Sequence, residues 1–450
     1  MRDAKPQMRI AVFLERLPYI GGGGFQQALS TVVALARPGA TAHDVVVFTQ
    51  YEPTRQFLLK HGVNAIWFKH RGFRLIDRWS ATVLGGAVLR RLRRLGFRRL
   101  GRHLDALLDD HGIDLVVLTE CGEIAGRIGD HPFIVTVWDT YHRDHPGFPE
   151  VFTNRVFERW ERIYRATLTR AIAVITNSPS GARRIASLYQ VDPHRIIELP
   201  FLPSLGVRHH AAGTGRSSID RVRRKYDLPA RYVFYPAYFS DDKNHLYLLE
   251  GLVDLKRRHG IVMHAVFCGS GMATGQTEVE RQVQALGLTA QVQFLGWVPD
   301  DDIPALYEGA LALTMPNYCG PTNLPPLEAV TLGCPVIYSD LPEFREQMGD
   351  AALYCDLTDV SSLADHLAAL IQNDWLRDRL LQAGCHLAAE LAKIDYGEIL
   401  KGILDDYAYL RRRWAWPEES HLPQFPGRKS SLHPDAAPVA DTARRLGKSV

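Results

Sequence analysis

The stretch GPTNLPPLEAVTLGCPV, Gly320 to Val336, decides how the chain is read. Pro325 and Pro326 open an apolar helix that carries one carboxylate, Glu328. The helix ends at Gly333, and a buried-type strand, Pro335 to Ser339, follows. Thr322 or Asn323 is placed to cap the helix start, and Pro325 suits its first turn. A helix start presents backbone N–H groups and a positive dipole end, which suits a phosphate. Glu328 falls within the first two turns, where it can accept hydrogen bonds from the vicinal hydroxyls of a ribose. These parts together describe a nucleotide-sugar site, with Thr322, Asn323, Leu324 and Glu328 as its donor-binding candidates.

Outward from this segment, short apolar strands alternate with amphipathic helices in both halves, the pattern of parallel α/β sheets. The first half carries expected strands near 8–14, 44–49, 63–68, 113–118, 133–137 and 171–176. The second carries them near 231–237, 262–268, 291–295, 310–315 and 335–339. The expected fold is α/β, with two doubly wound, Rossmann-like domains facing an interdomain cleft. Their bounds are 1–203 for the first domain, 204–218 for a polar, Gly-rich linker and 219–392 for the donor-binding domain. A helix within 393–416 crosses back to the first domain, and 417–450 has the composition of a disordered tail.

The 450 residues suffice for two domains, and 46% hydrophobic with 23% charged residues is a soluble, globular composition. Six scattered cysteines form no Cys-x-x-Cys pair, which favours reduced thiols in the cytoplasm. No secretory signal is visible, and no run reaches the roughly 18 apolar residues of a transmembrane helix. The net charge of +3 is uneven: residues 1–200 hold 28 Lys and Arg against 19 Asp and Glu, so the first half has the better claim on an anionic partner.

Four further segments carry candidate chemistry. Gly21 to Gly24 follow the first strand and precede a helix, so Gly22 and Gly23 let a ligand approach the backbone. The third glycine of a dinucleotide fingerprint is missing, since Gln27 stands there, and Thr49 and Gln50 end the second strand where an acid is wanted. A nicotinamide cofactor is therefore not expected. Asp139, His142, Asp144 and His145 cluster after another strand, at a spacing that fits no standard zinc pattern. Lys243 sits between a strand and a helix, as a compact cation for a diphosphate. Gly269 and Gly271, in CGSG, permit close backbone approach at the end of a later strand.

LPPLEA and GCPV resemble the donor-site element of glycosyltransferase family 4, whose usual form is E-G-F-G-x-P-x-x-E-A followed by G-x-P-V. The likeness runs through most of 8–415, and the variant GPTN-x-PPLEA is similar to a subgroup that builds bacterial surface polysaccharides. It implies the GT-B architecture. It implies that the glycine loop faces donor sugar and acceptor, that Lys243 holds the diphosphate, and that backbone around Trp297 and Val298 meets the base. Three places depart from the family pattern. Gly320 stands for its first glutamate, Trp138 for its usual histidine beside Asp139, and Tyr238 for the arginine that accompanies the lysine. His142 or His145 are the candidates to take over the histidine's role.

The resemblance implies a retaining transferase that moves a hexose, mannose or a related sugar, from a nucleoside diphosphate such as GDP. The acceptor it implies is a lipid-linked glycan of lipopolysaccharide O-antigen or capsule, with no metal and no other cofactor. The candidate catalytic residues are Lys243, Asp139 and His142. Rival readings are a nucleotide-sugar-binding protein that has lost catalysis and a GT-B nucleotide-sugar epimerase. Separately, seven arginines from Arg90 to Arg102 surround a leucine face. Arg91, Arg94 and Arg98 are candidates for docking a basic amphipathic helix on the anionic inner face of the plasma membrane. A nucleic-acid partner is not expected, because no recognition module accompanies the charge.

Overall fold

The computed structural model describes residues 7–18, 22–68, 103–213, 218–269, 273–320 and 322–414. Gly271, the arginine run with Arg91, Arg94 and Arg98, and the tail from 417 lie outside them.

Two parallel sheets build the protein. The first contains β1 (Arg9–Phe13), β2 (Asp44–Thr49), β3 (Ala65–Trp67), β4 (Leu115–Leu118), β5 (Phe133–Val137), β6 (Ala173–Thr176) and β7 (Ile196–Glu198), in the order β3-β2-β1-β4-β5-β6-β7. The second contains β8 (Tyr232–Pro236), β9 (His264–Cys268), β10 (Val292–Phe294), β11 (Ala312–Met315), β12 (Val336–Ser339) and β13 (Ala352–Cys355), in the order β10-β9-β8-β11-β12-β13. The central strands are apolar without alternation because helices cover both faces. LVVL of β4 and AVIT of β6 are buried at every position. Ile10 of β1 registers with Val45 on one side and Leu115 on the other. Val233 of β8 is flanked in the same way by Ala265 and Ala312.

The expected strands are present, and two more were not expected. β7 and β13 are short, lie at sheet edges and are only partly buried, so they carry a weak apolar signal. In both sheets the strand order reverses beside the first strand, between β1 and β4 and between β8 and β11. Such reversals open ligand crevices at the carboxyl ends of parallel strands.

The stretch read as a linker is more structured than its composition suggests. It holds a helix, Leu205–Ala211, with Val207 only 1% exposed. Arg208 donates to Ser30 of the first domain (3.1 Å), and His210 contacts Glu308 of the second (2.8 Å). Tertiary packing on both sides overrides the low helix propensity of the sequence.

The last helix, Tyr396–Trp414, packs on the first-domain helix Gly22–Ala36 and buries Leu400, Leu404 and Tyr407. Tyr396 donates its hydroxyl to the Pro200 carbonyl (2.5 Å), and Arg411 pairs with Asp114 (2.7 Å). One apolar cluster therefore runs from β1 through this helix into the second domain. Leu404→Ala should destabilise the protein by about 2–4 kcal/mol, the cost of an unfilled cavity at a leucine site. An unchanged urea midpoint would show that the helix does not hold the first domain.

Candidate functional site

The second reversal begins with the loop after β8. Asp241–Lys243 form a single 3-10 turn, closed by Asn244 in a left-handed conformation. The Lys243 ammonium lies 2.6 Å from the Asp242 carboxylate. Asp242 also accepts from Ser240 Oγ and from Cys319 Sγ (3.3 Å), and its carbonyl accepts from the Tyr318 N–H (2.9 Å). The loops after β8 and β11 are thus tied across the crevice. Burial is the largest single effect and works against both charges, but the partner's charge and the hydrogen bonds together outweigh it, so Lys243 is held above the usual lysine range and Asp242 below the usual carboxylate range. A fixed ion pair, with Lys243 as its ammonium, stands at the crevice at neutral pH.

The helix Leu324–Thr331 begins beside it. Asn323 occupies the N-cap position, but the expected side-chain cap is not made. Its amide donates instead to the Tyr338 hydroxyl (2.6 Å), and Gln347 takes both its backbone N–H (3.1 Å) and its carbonyl (2.6 Å). Pro325 and Pro326 have no N–H to offer. Of the amides that a helix start leaves unpaired, the one still available is that of Leu324. Thr322 Oγ1, two residues earlier in the chain, is buried and without a hydrogen-bond partner among the described residues. The donor set for an anion is therefore narrower than a generic helix start would give.

Glu328 is 7% exposed. Its carboxylate accepts from the Tyr307 hydroxyl (2.9 Å) and from the Ser204 N–H at the domain crossing (3.3 Å). Burial pushes its pKa up, and these two donors only partly offset that. A carboxylate has about four acceptor positions, so two remain for a diol. Val298 is buried nearby in sequence to Asp300, which accepts from Gln26 of the first domain (3.1 Å). Gly269 is required on steric grounds, because a Cβ there would stand 2.2 Å from the Ala237 carbonyl oxygen.

The glycine loop forms the opposite wall. Gly22 has a φ of +50°, and a Cβ on it would lie 2.8 Å from the Tyr238 hydroxyl. A Cβ on Gly24 would lie 2.6 Å from the Trp138 ring, and one on Gly23 would touch Leu324 at 3.4 Å. The two aromatic departures from the family pattern thus grip the same loop. Arg16, which the sequence reading did not single out, stacks on Trp138 at 4.2 Å and pairs with Glu120 at 2.7 Å.

Asp139 accepts from the Tyr141 N–H (3.0 Å) and lines two cavities of about 240 Å³ each. One reaches His142 and Glu150; the other reaches His145, Tyr318 and Gly320. His142 is 4% exposed, bonded to the Tyr189 hydroxyl (3.1 Å) and close to Glu161, and burial lowers its pKa. Its nitrogen is directed to these partners, so it supports the loop rather than presenting a free imidazole. Asp144 is paired with Arg184, and among the described residues no three His, Cys, Asp or Glu side chains converge on a metal position. Glu150, also missed in the sequence, bridges the domains by accepting from Tyr141 (2.9 Å) and from the Asp242 N–H (3.3 Å).

A sequence model of the family described as "Glycosyl transferases group 1" matches residues 218–386. The O-antigen chain mannosyltransferase B of Escherichia coli is 29% identical over 163 residues, which are 35% of this chain and 41% of that protein. The phosphatidyl-myo-inositol mannosyltransferase of Mycobacterium leprae is 33% identical over 133 residues, 29% of this chain and 35% of that protein. The chain thus spans less than half the length of these two curated relatives. Among solved structures, Anabaena HepE in complex with UDP and glucose superposes with a TM-score of 0.66 at 15% identity, covering 90% of this chain and 100% of that one. WaaG, a glycosyltransferase involved in lipopolysaccharide biosynthesis, superposes with a TM-score of 0.61 at 18% identity, covering 89% and 99%. At these identities the structural likeness concerns the fold. Sheet order and structural likeness give the chain the GT-B fold, and its residues 218–386 match the group 1 glycosyl transferase model.

Proposed function

We propose that the protein transfers a hexose, mannose or a close relative, from a nucleoside diphosphate to a lipid-linked glycan acceptor, with retention of configuration. The observation that carries this reading is that Lys243, the helix start at Leu324 and Glu328 all stand on the segments that follow β8 and β11 at the second reversal, with Leu324 against Gly23 of the glycine loop. Lys243, the Leu324 N–H and Thr322 Oγ would stabilise charge on the leaving diphosphate. Glu328 would anchor the ribose, and Asn323 sets the helix start through Tyr338. Catalysis is then mostly positional and electrostatic. Asp139 borders the place of the donor sugar, and His142 positions its loop. The names of the bacterial relatives support mannose and surface-glycan assembly. Binding without a metal is part of the proposal, since a fixed ammonium takes the role of a divalent ion. Among the described residues no helix is long and apolar enough to cross a membrane. A peripheral position on the inner face of the plasma membrane, through the arginine run, accords with a lipid-linked acceptor.

One observation favours a second reading. Tyr238 fills the arginine's place and is engaged with the glycine loop, as a binding protein without catalysis would allow. Donor consumption with and without acceptor separates the two. A thermal-shift screen against nucleoside diphosphates and their sugars, run in EDTA, tests the site they share.

In that buffer Glu328→Ala should weaken nucleoside diphosphate binding by tenfold or more, as expected when a charged acceptor worth about 1.5–3 kcal/mol is lost. Glu328→Gln, which preserves shape and both neighbouring contacts more closely, should fall between wild type and alanine. Equal affinity in all three folded proteins removes Glu328 from the site.

The arginine run should give salt-sensitive binding to anionic vesicles and little to neutral ones, at about 1 kcal/mol for each arginine near the surface. The triple replacement of Arg91, Arg94 and Arg98 by Gln should reduce it. Wild type that ignores anionic vesicles at low salt leaves acceptor delivery to another surface.

A further inference from the structure

The proposed nucleotide site draws on the Leu324 N–H, and the direction of that N–H is set by a side chain from another helix. The Leu324 N–H and the Asn323 carbonyl belong to one peptide unit, which is planar and trans. The two groups point in opposite directions across that plane, so a contact that fixes the carbonyl also aims the N–H. An N-cap carbonyl gives one lone pair to the first helical bond and keeps a second. Gln347 takes the second: its Nε2 donates to the Asn323 carbonyl (2.6 Å). Its Oε1 accepts from the Asn323 N–H (3.1 Å). One side chain thus grips both backbone polar groups of the residue that opens the helix Leu324–Thr331.

The grip is part of a closed network. The Asn323 side-chain amide donates to the Tyr338 hydroxyl (2.6 Å), and that hydroxyl donates to Gln347 Oε1 (3.3 Å). Gly320 leaves room for it, because φ there is +107° and a Cβ would stand 3.2 Å from the Asn323 amide nitrogen. Gln347 itself cannot drift, since its helix, Pro342–Met348, is pinned on two sides. Phe344 is fully buried and stacks on the Tyr338 ring at 4.0 Å and 8°. Glu346 holds the Ser180 N–H and Arg183 of the first domain.

Two physical effects follow at Leu324. The peptide plane is held in one orientation before any ligand arrives, so no ordering cost falls on binding. A donor on the carbonyl also polarises the peptide, which makes the N–H at its other end a stronger donor. Both effects matter here because Pro325 and Pro326 leave the helix start no amide to replace that of Leu324.

We propose that Gln347 is a positioning residue for the diphosphate, acting through the Asn323–Leu324 peptide rather than by contact with the ligand. The inference rests on the nucleotide site of the transferase reading and assigns the origin of its backbone donor.

The test is calorimetric titration with GDP, UDP, ADP and dTDP, together with saturation-transfer NMR on the matching nucleosides, which lack the diphosphate. Gln347→Met keeps the length of the side chain and removes both backbone contacts. It should weaken the nucleoside diphosphate that wild type prefers by about tenfold, the worth of one hydrogen bond to a charged group. Its affinity for the matching nucleoside should not change. Gln347→Glu still accepts from the Asn323 N–H but at neutral pH has no hydrogen for the carbonyl, so it should lose at least as much. Gln347 is only half-buried, so both variants leave the core intact. A residue that merely supported the fold would weaken nucleoside and diphosphate together. That equal loss, or wild-type diphosphate affinity in either variant, overturns the proposal. Wild type that binds none of the four nucleoside diphosphates overturns the nucleotide-site reading itself.

Discussion

The structure depends on what is missing at Gly22 and Gly24. Two domains can meet along a crevice only where one wall lets the other come close. Here the backbone itself is that wall. A methyl group at Gly22 would stand within contact of the Tyr238 hydroxyl and would also have to adopt a left-handed backbone. A methyl group at Gly24 would occupy the space of the Trp138 ring. Trp138 is braced by Arg16, and Arg16 by Glu120, so the bare loop fixes the position of side chains up to the carboxyl end of β4. Tyr238 connects the same loop to the turn that carries Lys243.

The charged groups of the cleft follow one rule. Each has a partner, and most are tied to another segment as well. Asp242 and Lys243 neutralise each other, and Cys319 and Glu150 tie the turn to β11 and to the first domain. Glu328 is held by Tyr307 and by the backbone of the domain crossing. Glu346 takes the Ser180 N–H (3.1 Å) and Arg183 (3.2 Å) of the first domain. Buried ionic groups contribute little net stability when paired and cost several kcal/mol when one partner is removed. Their role here is to fix geometry rather than to hold the fold.

Much of the architecture is legible in the sequence, because a strand buried on both faces writes itself as an uninterrupted apolar run, as LVVL and AVIT do. β7 and β13 escape because edge strands of three or four half-buried residues carry no such run. Lys243, Glu328 and the glycines are legible because each lies in a local strand–loop–helix segment. The cap at Asn323 was misread because the two positions whose N–H groups it would cap are Pro325 and Pro326, which have none, so its amide turns to Tyr338 fifteen positions on. Arg16, Glu120 and Glu150 are single charged residues in separate segments. Only the order of the strands brings them together, and no local pattern announces that order. Ser204 was hidden for a similar reason, since its role is played by a backbone N–H in a stretch that reads as linker.

The chain passes between the two sheets twice, once near 199–204 and again at the start of the last helix, and Tyr396 joins the two passages at Pro200. Bodies joined at one point can swing in any direction. Bodies joined at two neighbouring passages are left with rotation about the line through them. Opening and closing of the cleft then has a single coordinate, and its amplitude grows with distance from Tyr396. A ligand held by both walls need fix only one angle to fix the whole molecule. The entropy lost on closure is that of one soft rotation rather than of two free domains.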